Sequence, residues 1–187
     1  ENGIVVGKSN VELSCEMSGK LAEAFGMQLP VGSTLLIARD HHKSSRMLKR
    51  AFVGGMLAAG INVVDLKSIP SSVMRYDLSH NSDYVAGIYF KQDRDDTTTT
   101  VVTFYNDEAL RINSDLAKKI EKAYFKESFR RVDFSQIGQV SESHRIEECT
   151  NYKKSMEESF QKRLFSCVDC RIAVSYTHLT LPTICSV

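Results

Sequence analysis

The sequence predicts an α/β protein whose mostly parallel, mixed sheet lies between helices on both faces. Short continuous apolar runs, typical of strands buried on both faces, alternate with segments of helical periodicity. This order implies right-handed crossovers between parallel strands. The composition, 42% hydrophobic and 25% charged residues, is that of a globular protein. We therefore expect a three-layer α/β/α sandwich.

Four strands are predicted from their apolar and β-branched residues. They cover residues 34–38, 61–66, 84–90 and 100–105. The first three alternate with helices and should be parallel. The loop before the fourth is too short for a helical crossover, so the fourth strand should run antiparallel to the third.

Helices are predicted from apolar residues at three- and four-residue spacing and from the residues that can cap them. The expected N-terminal residues of the first four helices are Ser14, Ser44 or Ser45, Pro70 with Ser71, and Ser114. A fifth helix should carry Met156, Phe160 and Leu164.

The pattern divides the chain into four parts. Residues 1–132 are expected to form one domain, 133–150 a polar linker, and 151–173 the start of a second, truncated domain. Residues 174–187 resemble a frame translation of a transposase sequencing adapter, and we expect them to be a read-through outside the native protein. The chain lacks an initiator Met, so we expect it to be an internal piece of something longer.

Composition also argues against several classes of function. A net charge of +1 leaves no electrostatic footprint for nucleic acid. No apolar run approaches the roughly 18 residues that span a bilayer. With no signal peptide at its start, the protein is expected to be cytoplasmic. The five cysteines, including the CxxC of Cys167 and Cys170, fit incidental thiols better than a disulfide framework or a zinc site.

Candidate binding residues lie where the predicted strands end, because ligands of such folds bind at the carboxyl ends of the strands. Arg39 follows the first predicted strand and comes just before a helix, whose N-terminus can hold a phosphate. The alternative, which we favour, is that Arg39 and Asp40 pair and bridge the loop to its own scaffold. Lys91 follows the third strand and is a second candidate cation.

Other polar clusters have simpler interpretations. Four basic residues at helical spacing indicate a solvated helix face: Lys43, Arg46, Lys49 and Arg50. Adjacent His41 and His42 cannot share one helix face as metal ligands. Asp93, Asp95 and Asp96 suggest magnesium by residue type, but they do not match a calcium loop, and we predict no metal site.

Three segments in order resemble the first domain of the α-D-phosphohexomutases, the phosphoglucomutases and phosphomannomutases. They are IARDHHKSS at residues 37–45, AAGINVVDL at 58–66 and IPS at 69–71. The resemblance covers roughly residues 3–131. It implies the three-layer fold of that domain, and a family that uses Mg²⁺ although this part of the chain carries no cofactor.

The family's catalytic loop is where the chain departs from the pattern. Active mutases carry Thr-Ala-Ser-His-Asn-Pro there, and the Ser holds the transferable phosphate. Counting without gaps from Ile88 to Phe104 puts Asp93 at the Ser position. The phosphoserine is then missing, so no catalytic residue is assigned. In the family, the metal and sugar-recognition loops belong to later domains.

A closer resemblance is to the mutase-like module at the C-terminal end of mannose-1-phosphate guanylyltransferase fusions. Residues 45–50 and 118–131 carry it. It implies an upstream nucleotidyltransferase domain and later mutase domains in the same chain.

Two classes of function follow from these resemblances. The first is part of a phosphomannomutase or phosphoglucomutase of hexose-phosphate and nucleotide-sugar metabolism, inactive as this fragment alone. The second is a non-catalytic domain that binds a mannose or glucose phosphate through Arg39 and Lys91, or only regulates or scaffolds its partner domain. A generic nucleotide-binding domain is disfavoured, since neither GxGxxG nor GxxxxGK[ST] occurs. Whether the parent protein is an active enzyme stays open.

Overall fold

One mixed sheet organises the described part of the chain. A computed structural model describes residues 3–142 and 145–164, with the backbone alone at 145, 146, 148 and 161–164. The strands are β1 (Ile4–Lys8), β2 (Thr34–Arg39), β3 (Asn62–Ser68), β4 (Tyr84–Gln92), β5 (Thr99–Asn106) and β6 (Val140–Glu142). The helices are α1 (Cys15–Gly26), α2 (Lys43–Ala58), α3 (Ser71–His80), α4 (Ser114–Lys126) and α5 (Arg145–Leu164), and residues Phe134–Gln136 form one 3₁₀ turn.

The architecture confirms the three-layer prediction. The strand order is β1-β5-β4-β2-β3-β6. As predicted, β2 is parallel to both β3 and β4, and β5 is antiparallel to β4. One core lies between the sheet and helices α1, α2 and α4, and includes Phe25, Phe52 and Phe104. A second core, with Leu36 and Met74, lies between the opposite face and α3.

Two edge strands are absent from the sequence-based prediction. β1 pairs antiparallel with β5, and β6 pairs parallel with β3 inside the segment expected to be a linker. All three residues of β6 are exposed, so no apolar pattern identifies them. Part of segment 133–150 therefore belongs to the sheet, while the domain boundaries themselves stay a prediction.

The helix starts are partly as predicted. Ser14 caps α1, since its Oγ accepts a hydrogen bond from the Met17 N–H at 3.2 Å. The serine caps predicted for α2 and α4 are wrong by one to three residues. α2 begins after His42, and α4 is capped by Asn113, whose Oδ1 accepts from the Leu116 N–H at 2.9 Å. Ser45 cannot cap α2 because it lies within the first turn, where its side chain is buried.

Close contact between α1 and α2 sets the position of α2 on the sheet. A Cβ at Gly55 would lie 2.4 Å from the carbonyl oxygen of Gly19, so only glycine allows the backbones to approach this closely. The Ser18 Oγ donates to the carbonyl of Leu48 at 2.9 Å across the same interface. The start of α2 is thereby held next to the end of β2.

The chain divides into two compact units, Glu1–Tyr152 and Lys153–Val187. The first contains the sheet and both cores. Of the second, the structure describes residues 153–164, which are helical and carry an ion pair of 3.7 Å between Lys153 and Glu157. The expected adapter segment 174–187 and the CxxC lie outside the described residues. Among the described helices, none combines the length and the apolar character that crossing a membrane requires.

Candidate functional site

Asp40 joins the end of β2 to the end of β4. Its backbone N–H donates to the carbonyl of Phe90 at 2.9 Å. Its carboxylate accepts hydrogen bonds from two backbone N–H groups, those of His42 at 3.0 Å and Gln92 at 2.6 Å. Asp40 thus serves the scaffold, as the favoured alternative expected, but its carboxylate bonds to backbone and not to the Arg39 guanidinium.

Arg39 is almost completely enclosed beside this turn. Only 9% of the residue is exposed, and its Nη1 donates to the carbonyl oxygen of Asp40. Its Nε is buried and has no hydrogen-bond partner within the described structure. Burial, and then the positive charge of Arg46, lowers the pKa of Arg39 below its ordinary value.

A second buried polar group next to the turn is also unsatisfied. Ser45 is fully buried in the first turn of α2, and its Oγ makes no hydrogen bond in the described part of the chain. A buried polar group without a partner typically costs about 1–3 kcal/mol, so two of them around one turn require an explanation. Both atoms are closed off from solvent, so a ligand at the turn would reach them only once the side chains around it had moved.

The N-terminus of α2 lies at this turn and has no side-chain cap. His42 precedes the helix without donating or accepting a capping hydrogen bond. The first N–H groups of an α-helix have no partner within the helix and carry its positive dipole end, a combination that favours anions. Arg39 and this helix start together present the chemistry of a phosphate site.

Lys91 does not share a sheet face with Arg39. Arg39 pairs in register with Phe90, whose side chain belongs to the core under α1 and α2. Lys91 is exposed and alternates to the opposite face, with Tyr89 and α3. The structure places both cations at the same end of the sheet, but on opposite sides of it.

The loop between β4 and β5 is held by its own hydrogen bonds. The Asp96 carboxylate accepts from the Thr98 N–H at 2.8 Å and from the hydroxyls of Thr98 and Thr99 at 2.7 Å each. These bonds, led by that of the Thr99 hydroxyl, lower the pKa of Asp96 to about 2. The loop forms a closed hairpin turn with no serine among residues 91–99.

Asp93 lies at the start of that hairpin turn. Its N–H donates to the carbonyl of Thr99, and its Oδ1 accepts from the Arg94 N–H, both at 2.9 Å. No group of three or more potential metal ligands converges anywhere in the described residues. The carboxylates of this loop therefore do not fit Mg²⁺, the ion that their residue type suggests, and no chemical step here is derived through it.

The expected solvated face of α2 is wrong at one position. Lys49 is 5% exposed and forms an ion pair with Asp65 of β3, the strand next to β2. The other Asp65 oxygen accepts from the Lys67 N–H at 2.7 Å. Burial lowers the pKa of Lys49, against the opposing effect of Asp65. One sequence signal could have revealed the pair, namely an aspartate inside the otherwise apolar strand run of β3.

Sequence comparison finds a family model that matches residues 3–131, phosphoglucomutase/phosphomannomutase, alpha/beta/alpha domain I. The chain is 26% identical over 167 residues to a phosphoglucosamine mutase of Campylobacter jejuni strain 81-176, covering 86% of this chain and 37% of that protein. It is 24% identical over 180 residues to the phosphoglucosamine mutase of Clostridioides difficile strain 630, covering 92% and 40%.

Solved structures agree on the fold. A phosphoglucomutase/phosphomannomutase family protein from Burkholderia thailandensis superposes with a TM-score of 0.65 at 19% identity, over 76% of this chain and 32% of that one. The open form of the phosphoprotein pp63/parafusin from Paramecium gives 0.57 at 11% identity, over 84% and 34%. This chain thus spans well under half the length of the relatives it matches.

Proposed function

The chain belongs to the phosphoglucomutase/phosphomannomutase family by its α/β/α domain I, and we propose that it binds the phosphate group of a hexose phosphate at the turn between β2 and α2. The observation that carries the proposal is the buried Arg39, whose Nε lacks a partner beside an uncapped helix start. A guanidinium with an unsatisfied N–H next to free backbone N–H groups is suited to a phosphate oxygen.

The ligand we propose is a mannose or glucose phosphate. Relatives named as phosphoglucosamine mutases extend the class to amino-hexose phosphates. In the parent protein, we propose that later mutase domains supply the sugar-recognition groups and Mg²⁺, and that a nucleotidyltransferase domain precedes this one. Arg39 and α2 would neutralise and orient the phosphate, with Lys91 contacting the ligand from the opposite side of the sheet end.

We also propose that the β4–β5 loop does not transfer phosphate. Asp93 stands where the family pattern has its serine, if the two loops are aligned without gaps. An aspartyl phosphate is far more labile than a phosphoserine and would be a poor replacement for a stable phosphoenzyme. The internal hydrogen bonds of Asp96 give the loop a structural purpose of its own.

A second candidate is a scaffold domain that binds no sugar phosphate. It is favoured by Asp40, whose carboxylate faces the same turn and adds a negative charge where an anion would bind. Binding measurements distinguish the two candidates.

The experiment is calorimetric titration of the chain with mannose 1-phosphate and glucose 1-phosphate. Arg39→Ala should weaken binding about tenfold or more, since a charge-assisted hydrogen bond contributes roughly 1.5–3 kcal/mol. Lys91→Ala should weaken it if the ligand reaches across the sheet end. Lys118→Ala removes one exposed charge from α4 and should have no effect. Undiminished affinity in Arg39→Ala would place the phosphate elsewhere, and no binding by the unmodified chain would favour the scaffold function.

A further inference from the structure

The outer side of α2 carries more positive charge than the protein neutralises. Arg46 and Arg50 are exposed and one helical turn apart, and neither has a carboxylate within 4.0 Å in the described residues. Lys49, between them, is neutralised by Asp65. The two arginines, together with the exposed Lys43 at the helix start, are therefore the unpaired part of this basic cluster.

These two arginines lie near Arg39. Residues 46, 49 and 50 share one side of a helix because they are three and four positions apart. Lys49 reaches Asp65 on β3, and Asp65 pairs in register with β2, the strand that ends in Arg39. Consistent with this placement, the charges of Arg46 and Arg50 both add to the lowering of the Arg39 pKa.

Two exposed arginines beside the buried Arg39 concentrate positive charge on one side of α2, and such a concentration attracts anions. The two acidic residues whose charges act on Arg39 are already engaged, Asp65 by Lys49 and the Lys67 N–H, and Asp40 by two backbone N–H groups. One phosphate at Arg39 would leave Arg46 and Arg50 unpaired. A second phosphate bonded to the first, on the side of α2 that carries residues 46 and 50, would be within reach of both side chains.

We propose that Arg39, Arg46 and Arg50 together bind a diphosphate group, such as that of a nucleoside diphosphate, through side-chain charge and a helix start and without the glycine-rich loops that the sequence lacks. The first phosphate occupies the turn between β2 and α2, and the second lies against Arg46 and Arg50. This inference rests on the proposed phosphate site and adds a second anionic subsite to it. The unsatisfied Arg39 Nε and Ser45 Oγ support the first phosphate position only, and the second depends on Arg46 and Arg50.

The test compares orthophosphate, pyrophosphate and guanosine diphosphate as ligands of the chain at constant ionic strength. Pyrophosphate and guanosine diphosphate should bind about tenfold or more tightly than orthophosphate, as expected for one additional charge-assisted contact. The double variant Arg46→Gln/Arg50→Gln should abolish that advantage, and should weaken orthophosphate binding much less than it weakens pyrophosphate binding. Lys118→Gln/Lys122→Gln removes the same charge, at the same spacing, from the exposed side of α4 and should change neither affinity.

The outcomes separate this inference from the phosphate site itself. If orthophosphate binds and pyrophosphate gains nothing, the diphosphate subsite is wrong and the phosphate site stands. An equal loss in the α4 double variant would show unspecific attraction and would also overturn the subsite. If no phosphate compound binds, both proposals fail.

Discussion

Lys49 is one of four basic residues that follow β2 in the sequence, yet its ammonium group lies inside the protein. Helical spacing identifies the side of α2 on which the residue lies, but not that this side meets Asp65 of β3. A buried ion pair contributes little net stability when intact, whereas loss of one partner leaves an uncompensated charge.

Asp65→Asn should therefore destabilise the domain by about 3 kcal/mol or more, because it leaves the buried Lys49 ammonium next to Arg39 without its counter-charge. The measurement is urea unfolding monitored by circular dichroism. The double variant Lys49→Met/Asp65→Asn should recover part of the loss. An Asp65→Asn protein as stable as the unmodified chain would show that the pair is not buried in solution.

Arg39 illustrates the same dependence on packing. The sequence predicts Arg39 just after a strand that ends at residue 38, and in the structure Arg39 is itself the last residue of β2. The structure adds three features of Arg39: its enclosure, its unsatisfied Nε and the sheet that separates it from Lys91. These features depend on contacts with residues that are distant in sequence, such as Phe90. Its role in binding stays a prediction until the titration is done.

At the scale of elements, the β4–β5 hairpin depends on Asp96. This carboxylate titrates with a pKa of about 2 in the folded protein, below its ordinary value of 3.8. A lowered pKa means that the folded state binds fewer protons, so the stabilisation is present above the unfolded pKa and is lost as pH falls through the folded one.

The unmodified chain should lose stability between about pH 4 and about pH 2 as Asp96 becomes protonated. Asp96→Asn should be less stable at pH 6, and the difference should shrink as pH falls towards 2. Urea midpoints at several pH values measure this, with the neighbouring exposed Asp95→Asn as the matched control. A difference that is the same at every pH would contradict the role of Asp96.

Arg130 connects the C-terminal ends of two helices. Its Nη2 donates to the carbonyls of Gly26 at 2.7 Å and of Leu29 and Ala59 at 3.0 Å each. These carbonyls lie at or just beyond the ends of α1 and α2, where backbone acceptors lack helical partners and a positive charge is favourable. The chain after α4 is thereby attached to the first two helices.

Arg130→Met keeps an apolar stem but removes all these donors, and should cost about 2 kcal/mol, since hydrogen bonds from a charged group contribute roughly 1.5–3 kcal/mol. Thermal unfolding should show a shift of several degrees. Arg131→Met, the exposed neighbour, is the control and should have little effect. Equal midpoints for both variants would mean that the guanidinium contacts are unimportant.

At the scale of the whole molecule, the chain spans 37% of a phosphoglucosamine mutase to which it is similar. We expect no phosphomutase activity from it alone. It has no serine in the β4–β5 loop, and its described carboxylates do not fit a metal.

Incubation of the chain with mannose 1-phosphate and a hexose bisphosphate should give no 6-phosphate above background, as followed by ³¹P NMR. A phosphoglucomutase of known activity serves as the positive control. Turnover by the chain that disappears in Asp93→Asn would overturn the expectation and identify Asp93 as a phosphate acceptor.

The sequence by itself determined the four main strands, their relative directions, the Ser14 cap and the family. Each of these depends on patterns within a strand, a helix or a loop, and such local patterns are visible in a single chain. The buried residues of β2 before Arg39, and those of β5, are all apolar, aromatic or β-branched, so the assignment of these strands needs no partner.

Only the tertiary structure decided which polar groups meet. Arg130 bonds to a carbonyl 104 residues away, and Lys49 pairs with an aspartate 16 residues away on a different element. β6 is a strand only because β3 offers its edge. Such contacts depend on how helices pack on the sheet, and that packing is set by the shapes of the two cores together, which no local pattern contains.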